Sequence, residues 1–278
     1  MKFKLIFLFC LFLSVFSSNL FSAEFSAAEE QYIAEILEKR MTLRTYDNSD
    51  QCIQAAKSFI KANDENLLYK NGSQEFQLTV ENLLKTALYN CLYEKDMKDP
   101  ALKTLMTTQY EKILDYNEKH LEEDRNRWYN VSSSDIINST MQFLPQNQAI
   151  RLGLAEKDLY DSMMKIYPDF SYLFINSGLW YMFAPAIGGG SDVKAMEFFQ
   201  KAIDTAKYSY EKYYACIYYS QLLFEKNKKS ESKELLSKAE EVLPGKRYIK
   251  LINLLNDNGY SVFYYTNNRE KVDKKLGL

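Results

Sequence analysis

Residues 171–244 read SYLFINSGLWYMFAPAIGGGSDVKAMEFFQKAIDTAKYSYEKYYACIYYSQLLFEKNKKSESKELLSKAEEVLP, and this stretch decides the fold. Counting back from Pro244 in a unit of roughly 34 residues puts Ala239, Leu236 and Ser232 at small, large and small positions of one helix. Leu223, Ser220, Tyr219 and Cys216 then fall on the inner face of the helix before it. The preceding unit repeats the pattern with Phe174, Ser177, Gly178 and Tyr181, followed by Ala195, Phe199 and Ala202. Two helices cross closely only where a small residue admits the neighbour, and a large residue beside it fills the groove. The stretch is therefore four short helices in two pairs. An apolar, glycine-rich loop, residues 186–190, breaks the first pair.

Working outward, the same 3.6-residue period continues on both sides. Ile33, Ile36, Leu37 and Met41 mark a helix over residues 29–44, and Asp50 starts another that carries Ile53, Ala56 and Ile60 on one side. Ser73 is an N-cap for the most regular stripe of the chain, Val80, Leu83, Leu84, Ala87, Leu88, Cys91 and Leu92. Asp99-Pro100 starts the next helix, with Leu102, Leu105, Met106, Tyr110, Ile113 and Leu114. These four segments are expected to make two antiparallel hairpins. The charge run over residues 118–127 holds the only histidine, His120, and reads as a solvated helix end. Residues 132–135 are expected to cap a short helix ending near Pro145. Residues 147–167 form a long helix that uses Ile150, Leu154, Leu159, Met163 and Ile166 for its core face. Tyr167-Pro168 stops it, because the residue before proline is pushed out of the helical region, and Asp169 caps the next helix. Helices over residues 193–206, 210–225, 230–242 and 245–255 complete the array, the last as a capping helix. The expected fold is all-α, a tetratricopeptide-like helical repeat array of antiparallel helix pairs over residues 24–257, with residues 258–278 a loosely held tail.

Composition agrees with long helices and short links: 278 residues carry only 9 Gly and 5 Pro, with 46% hydrophobic residues. A chain of this length buries roughly three quarters of the surface its unfolded form exposes, so its core needs neither metal nor disulfide. The 22 tyrosines, beside abundant Lys and Asn, read as the composition of an AT-rich genome. A net charge of −2 with no Lys/Arg stripe excludes a nucleic-acid surface. Lys2 and Lys4 precede an apolar run of twelve over residues 5–16, too short to span a bilayer. Residues 1–23 thus read as a secretory signal peptide, cleaved after Ala23 or, alternatively, Ala28. Its loss takes the net charge from −2 to −4. Cys10 follows Phe9 rather than a small residue, so there is no lipobox, and the expected location is periplasmic or secreted. Cys52, Cys91 and Cys216 remain, an odd set on helical apolar faces. They read as buried free thiols, with a single Cys52–Cys91 bridge as the alternative.

Catalytic signatures are lacking. One histidine leaves no metal triad and no Ser/His/Asp or Cys/His pair. Gly188, Gly189 and Gly190 precede Ser-Asp rather than Lys-Ser/Thr, so they are not a phosphate loop. Glu29-Glu30 and Glu122-Glu123 are adjacent on helices and diverge by about 100°. A binding protein without cofactor or metal, not an enzyme, is expected. Its ligand- or partner-facing surface is placed at Trp180, Tyr181, Pro185, Ile187, Gly188, Gly189 and Gly190, an extended loop beside an aromatic helix.

The run from Gly178 through Trp180, Pro185, Gly188-Gly189-Gly190, Asp192, Lys194-Ala195 and Phe198-Phe199 to Lys201-Ala202-Ile203 resembles the helix–loop–helix segment of the TatT family. These are tetratricopeptide-like periplasmic T-components of TRAP-type transporters, and residues 170–244 carry the likeness. The resemblance implies a periplasmic, all-helical homo-oligomer that docks a substrate-binding protein. It also implies passage of a small hydrophobic or carboxylated ligand through a central channel. The chain departs from the pattern in having no lipobox cysteine. A T-component-like partner of a solute transporter is thus the leading expectation. A periplasmic scaffold for cell-envelope proteins is the alternative, and an all-helical hydrolase with two carboxylates across one cleft is a third reading.

Overall fold

Fourteen α-helices make up the regular structure of the described residues, which are 24–121 and 124–278 of a computed structural model, and no strand occurs among them. In order they are α1 Ala27–Thr42, α2 Ser49–Asp64, α3 Leu67–Asn71, α4 Gln74–Lys95, α5 Pro100–Lys119, α6 Arg127–Met141 and α7 Gln146–Ile166. Then come α8 Ser171–Phe183, α9 Asp192–Thr205, α10 Ser209–Glu225, α11 Lys229–Val242, α12 Arg247–Asp257, α13 Val262–Asn267 and α14 Arg269–Leu276. The signal-peptide reading of residues 1–23, Cys10 included, and the pair Glu122-Glu123 lie outside the described residues.

The helix pairs follow from the small–large alternation. α8 packs most heavily on α9, and α10 on α11, with α9 also against α10. Phe174, Ser177, Tyr181, Ala195, Phe199 and Ala202 are buried, as are Cys216, Ser220, Leu223, Ser232, Leu236 and Ala239. Gly178 is where α8 and α9 meet: a Cβ there would lie 2.5 Å from the Phe199 ring, which is itself fully buried. Ser171 Oγ adds a hydrogen bond to the Ala202 carbonyl at 2.8 Å, fixing the other end of the crossing. This is a helical-repeat packing, and one core cluster continues from Ile33 and Leu37 through Val80, Leu173 and Ile217 to Ile252 and Val272.

Local signals placed most helix starts. Ser73 accepts from the Phe76 amide and Asp99 from the Ala101 amide, each satisfying an otherwise unpaired donor of the first turn. His120 ends α5 and stacks on Tyr116 with ring centroids 4.4 Å apart.

Several expectations are corrected. α1 and α2 each pack on α4 rather than forming a hairpin of their own. Ser132, Ser133 and Ser134 do not cap α6, which begins at Arg127 behind an Asn126 cap; they are buried in mid-helix. Asp169 does not cap α8. Its carboxylate pairs with Lys207 at 2.6 Å, and the N-cap position falls on Phe170. Residues 258–278 are not a loose tail, because α13 and α14 bury Val262, Phe263 and Val272 in the core. The cysteines are not three free thiols. Cys52 on α2 and Cys91 on α4 sit on facing sides with Cα atoms 5.8 Å apart, within bridging range, and form a disulfide. Cys216 alone is a free, buried thiol among the described cysteines.

The close crossing makes a prediction of opposite sign at two helical glycines. Gly178→Ala drives a methyl into a fully buried ring and should cost about 1–3 kcal/mol in spite of alanine's helix propensity. At Gly153, where a Cβ would meet only Met141 Sδ at 4.0 Å, alanine should be neutral or stabilise by up to about 1 kcal/mol. Urea unfolding of the two variants measures the contrast, and a Gly178→Ala protein as stable as Gly153→Ala would contradict it.

A candidate ligand groove

α8 ends where Pro185 forces its predecessor out of the helical region, and Ala184 is accordingly extended at φ −65° and ψ 138°. The chain then folds back on itself. Pro185 O accepts from the Gly188 amide at 2.8 Å and the Gly190 amide at 3.1 Å, and Ala186–Gly188 forms a 3-10 turn. The Ser191 amide donates to Tyr181 O at 2.8 Å, and its hydroxyl caps α9 through the Lys194 amide. The expected extended loop is thus a closed turn. Two glycines make it possible. Gly189 has φ +99°, and a Cβ on Gly190 would sit 1.8 Å from the Ala184 carbonyl oxygen.

This turn closes one end of a groove of about 610 Å³. α8 supplies Asn176, Leu179, Trp180 and Phe183; α7 supplies Ala149, Ile150, Gly153 and Leu154; α6 supplies Asp135, Asn138, Ser139 and Met141. Thr86 and Asn90 come from α4, and Ala184, Pro185 and Gly188 from the turn. Trp180 forms a fixed wall because its indole N–H donates to Gly153 O at 2.8 Å, tying α8 to α7. Ile150, Leu154 and Phe183 are 57%, 46% and 58% exposed, a cost in water that a bound apolar surface would offset.

The floor is polar and built from a buried ion pair. The Tyr172 hydroxyl donates to Asp135 Oδ2 at 2.5 Å while accepting from Arg40 Nη1 at 2.9 Å. Asn176 Nδ2 donates to Asp135 Oδ1 at 3.2 Å, and Arg40 Nη1 lies 3.5 Å from Asp135 Oδ2. Burial pushes the Asp135 carboxyl above its ordinary value, and Arg40, Tyr172 and Asn176 pull it back only in part. Behind it, Asn138 Nδ2 donates to Glu156 Oε1 at 3.3 Å. Glu156 is only 3% exposed, and its Oε2, Ser134 Oγ and the Tyr160 hydroxyl make no hydrogen bond of good geometry. Burial first, then the Asp135 charge, holds the Glu156 carboxyl well above the ordinary carboxylate range. Thr86 Oγ1, on the groove wall, is likewise without a partner.

Of the seven expected residues, Trp180, Pro185 and Gly188 line the groove. Gly189 and Gly190 shape the turn behind it, and Ile187 is fully exposed at its tip, away from the groove. Tyr181 is corrected: one residue on from Trp180 turns it about 100° round the helix. It is 4% exposed and packs on Phe198 at 5.4 Å between centroids. The α7 stripe is corrected in part: Met163 is buried and Leu159 partly buried as expected, but Glu156 and Tyr160 make up the rest of the inner face, and Ile150, Leu154 and Ile166 are exposed. Asp135 and its partners were missed. Trp128, Tyr129 and Val131 before the serines and Ile136 after them signal a helix running through the interior rather than a cap.

Among the described residues, Asp135 is the only charged side chain on the groove wall, and Glu156 does not share that wall. Among the described residues no three His, Cys, Asp or Glu side chains converge as metal ligands, and no helix is long and apolar enough to cross a membrane. The arrangement suits holding a molecule with an apolar body against hydrogen-bonding groups. No family model matches the chain, and no curated protein matches it.

Glu156 gives this site a pH signature. A carboxyl with a raised folded pKa keeps its proton after the unfolded chain, at about 4.3, has lost it. Its contribution to stability is therefore complete below that value and is lost as pH rises towards the folded pKa. Urea unfolding of wild type and Glu156→Gln from pH about 4 to 8 should show the variant gaining on wild type as pH rises. A difference that does not change with pH would contradict this.

Proposed function

We propose that the chain is an exported helical-repeat binding protein, acting as a T-component-like partner of a TRAP-type transporter and docking its substrate-binding protein. In this reading the groove receives a small ligand with an apolar body. The observation that carries it is the groove itself: exposed Ile150, Leu154 and Phe183 face a fixed indole over a polar floor, in a volume of about 610 Å³. Sites of this size, mostly apolar with a few convergent polar groups, suit small molecules. The likeness of residues 178–203 to the TatT segment supports the transport setting, since that loop closes the groove. The Cys52–Cys91 bridge supports an oxidising compartment. The one charge on the wall is negative, so an amine or alcohol head fits it better than a carboxylate.

Titration with decylamine, decanol and decanoate, followed by the fluorescence of Trp180, tests the groove. The amine and the alcohol should bind more tightly than the acid. Leu154→Lys should abolish their binding without loss of stability, because Leu154 is 46% exposed. Unchanged affinity in that variant would contradict the groove. Light scattering at micromolar concentration tests the transport setting separately, with an oligomer expected and a monomer contradicting it.

A further inference from the structure

A second cavity, of about 30 Å³, lies inside the array, where the end of α1 and the 3-10 turn Leu43–Thr45 meet α2, α4 and α10. Arg40 and Arg44 both line it, as do Tyr214 and Tyr218 of α10, Asn90 of α4 and the Cys52–Cys91 bridge. Among the described residues no carboxylate side chain lies on this wall. The space suits one water or one ion of similar size.

Both guanidiniums are fixed from behind and keep donors free for the cavity. Arg40 Nη1 donates to the Tyr172 hydroxyl at 2.9 Å and lies 3.5 Å from Asp135, while the guanidinium sits over the Tyr210 ring at 5.3 Å. Arg40 is only 8% exposed, yet its Nε and Nη2 make no hydrogen bond among the described residues, and neither is sealed off by packing. Arg44 donates from Nε to the Tyr214 hydroxyl at 3.1 Å and from Nη1 to Glu94 at 2.9 Å, which leaves its Nη2 in the same condition. The Tyr218 hydroxyl and the Asn90 amide likewise have no partner among the described residues and are not sealed. A guanidinium has five N–H donors and no acceptor, and donors taken out of bulk water without an acceptor are costly. Glu94 is also shared with Arg247 Nη1, so three guanidiniums rest on two carboxylates, Asp135 and Glu94.

We propose that this cavity binds a single monatomic anion, a chloride or another halide, held between Arg40 and Arg44. A halide accepts from every donor around it and balances the excess positive charge. A water in its place would leave that charge unbalanced, and its own protons would find only hydroxyl oxygens and one amide carbonyl. The bound ion ties α1 and the turn after it to α4 and α10, beside the Arg40–Asp135 pair. Arg44, Asn90 and Tyr218 are only half-buried, which leaves a way in for a small ion. The site does not depend on the groove, whose wall carries no arginine among the described residues.

Thermal unfolding of the full chain at constant ionic strength, with sodium gluconate replaced stepwise by sodium chloride or bromide, tests this. With a Kd of about 1 mM, the Tm should rise by at least about 5 °C on reaching about 100 mM chloride, following a one-site saturation curve. Arg44→Gln should lose this rise, whatever its Tm in gluconate. Tyr218→Phe removes a single hydroxyl and should weaken the apparent chloride affinity about tenfold, the scale of one hydrogen bond to a charged group. Leu154→Lys, which blocks the groove, should leave the rise unchanged. Crystals soaked in bromide should show an anomalous peak between Arg40 and Arg44. Equal Tm in chloride and gluconate, a full rise in Arg44→Gln, or bromide-soaked crystals without that peak would overturn the inference.

Discussion

The buried pair of Arg40 and Asp135, bridged by the Tyr172 hydroxyl, is the constraint on which most of the structure depends. Arg40 comes from α1, Asp135 from α6 and Tyr172 from α8, and the Arg40 guanidinium also lies over the Tyr210 ring of α10 at 5.3 Å. Four helices far apart in sequence therefore meet at one charge pair. A buried pair of this kind adds little net stability over an apolar substitute, but losing one partner leaves a buried charge and costs about 3–5 kcal/mol. Its consequence is geometric. It fixes α6 against α8 with a carboxylate between them, and that carboxylate is the floor of the groove.

The repeat core explains why a groove opens at all. α8 commits one face to Phe199 and α9 through Gly178, which leaves Trp180 and Phe183 on the other side. α7 is held to that side by the Trp180–Gly153 hydrogen bond and buries an unusual inner face, with Glu156 and Tyr160 in place of aliphatic residues. Its aliphatic residues Ile150 and Leu154 are turned outward. The closed Pro185–Gly190 turn then stops the groove at one end; Gly189 and Gly190 are used for chain geometry, while Gly188 lines the groove.

The fold was legible because its signal is repetitive and local. Small–large alternation in residues 171–244, Ser73 and Asp99 as caps, and the stripe of α4 each gave the right helix at the right place. What failed was which face of a helix meets what. The period of α7 is helical in either phase, and only the neighbours decide that Tyr160 is buried while Ile150 is not. Ser132–Asp135 looked like a cap because those residue types favour caps, and tertiary burial overrode the preference. The tyrosines read as composition. Tyr210, Tyr214 and Tyr218 recur at one-turn spacing on α10, as do Arg40 in the last turn of α1 and Arg44 in the 3-10 turn that follows it, and these two stripes pack on each other. That spacing was visible in the sequence, whereas the long-range pairing that gives it meaning was not. The Cys52–Cys91 bridge was open in the sequence only as the alternative to free thiols, because its choice rests on the same long-range pairing.

Amide hydrogen exchange of wild type and Asp135→Ala, resolved by helix, tests most directly whether this one pair holds the groove-forming helices together. If it does, protection falls together in α1, α6 and α8, although only α6 carries the substitution. Loss of protection confined to α6, with α1 and α8 unchanged, would show that the helices are held independently and that the groove floor does not rest on Arg40 and Asp135.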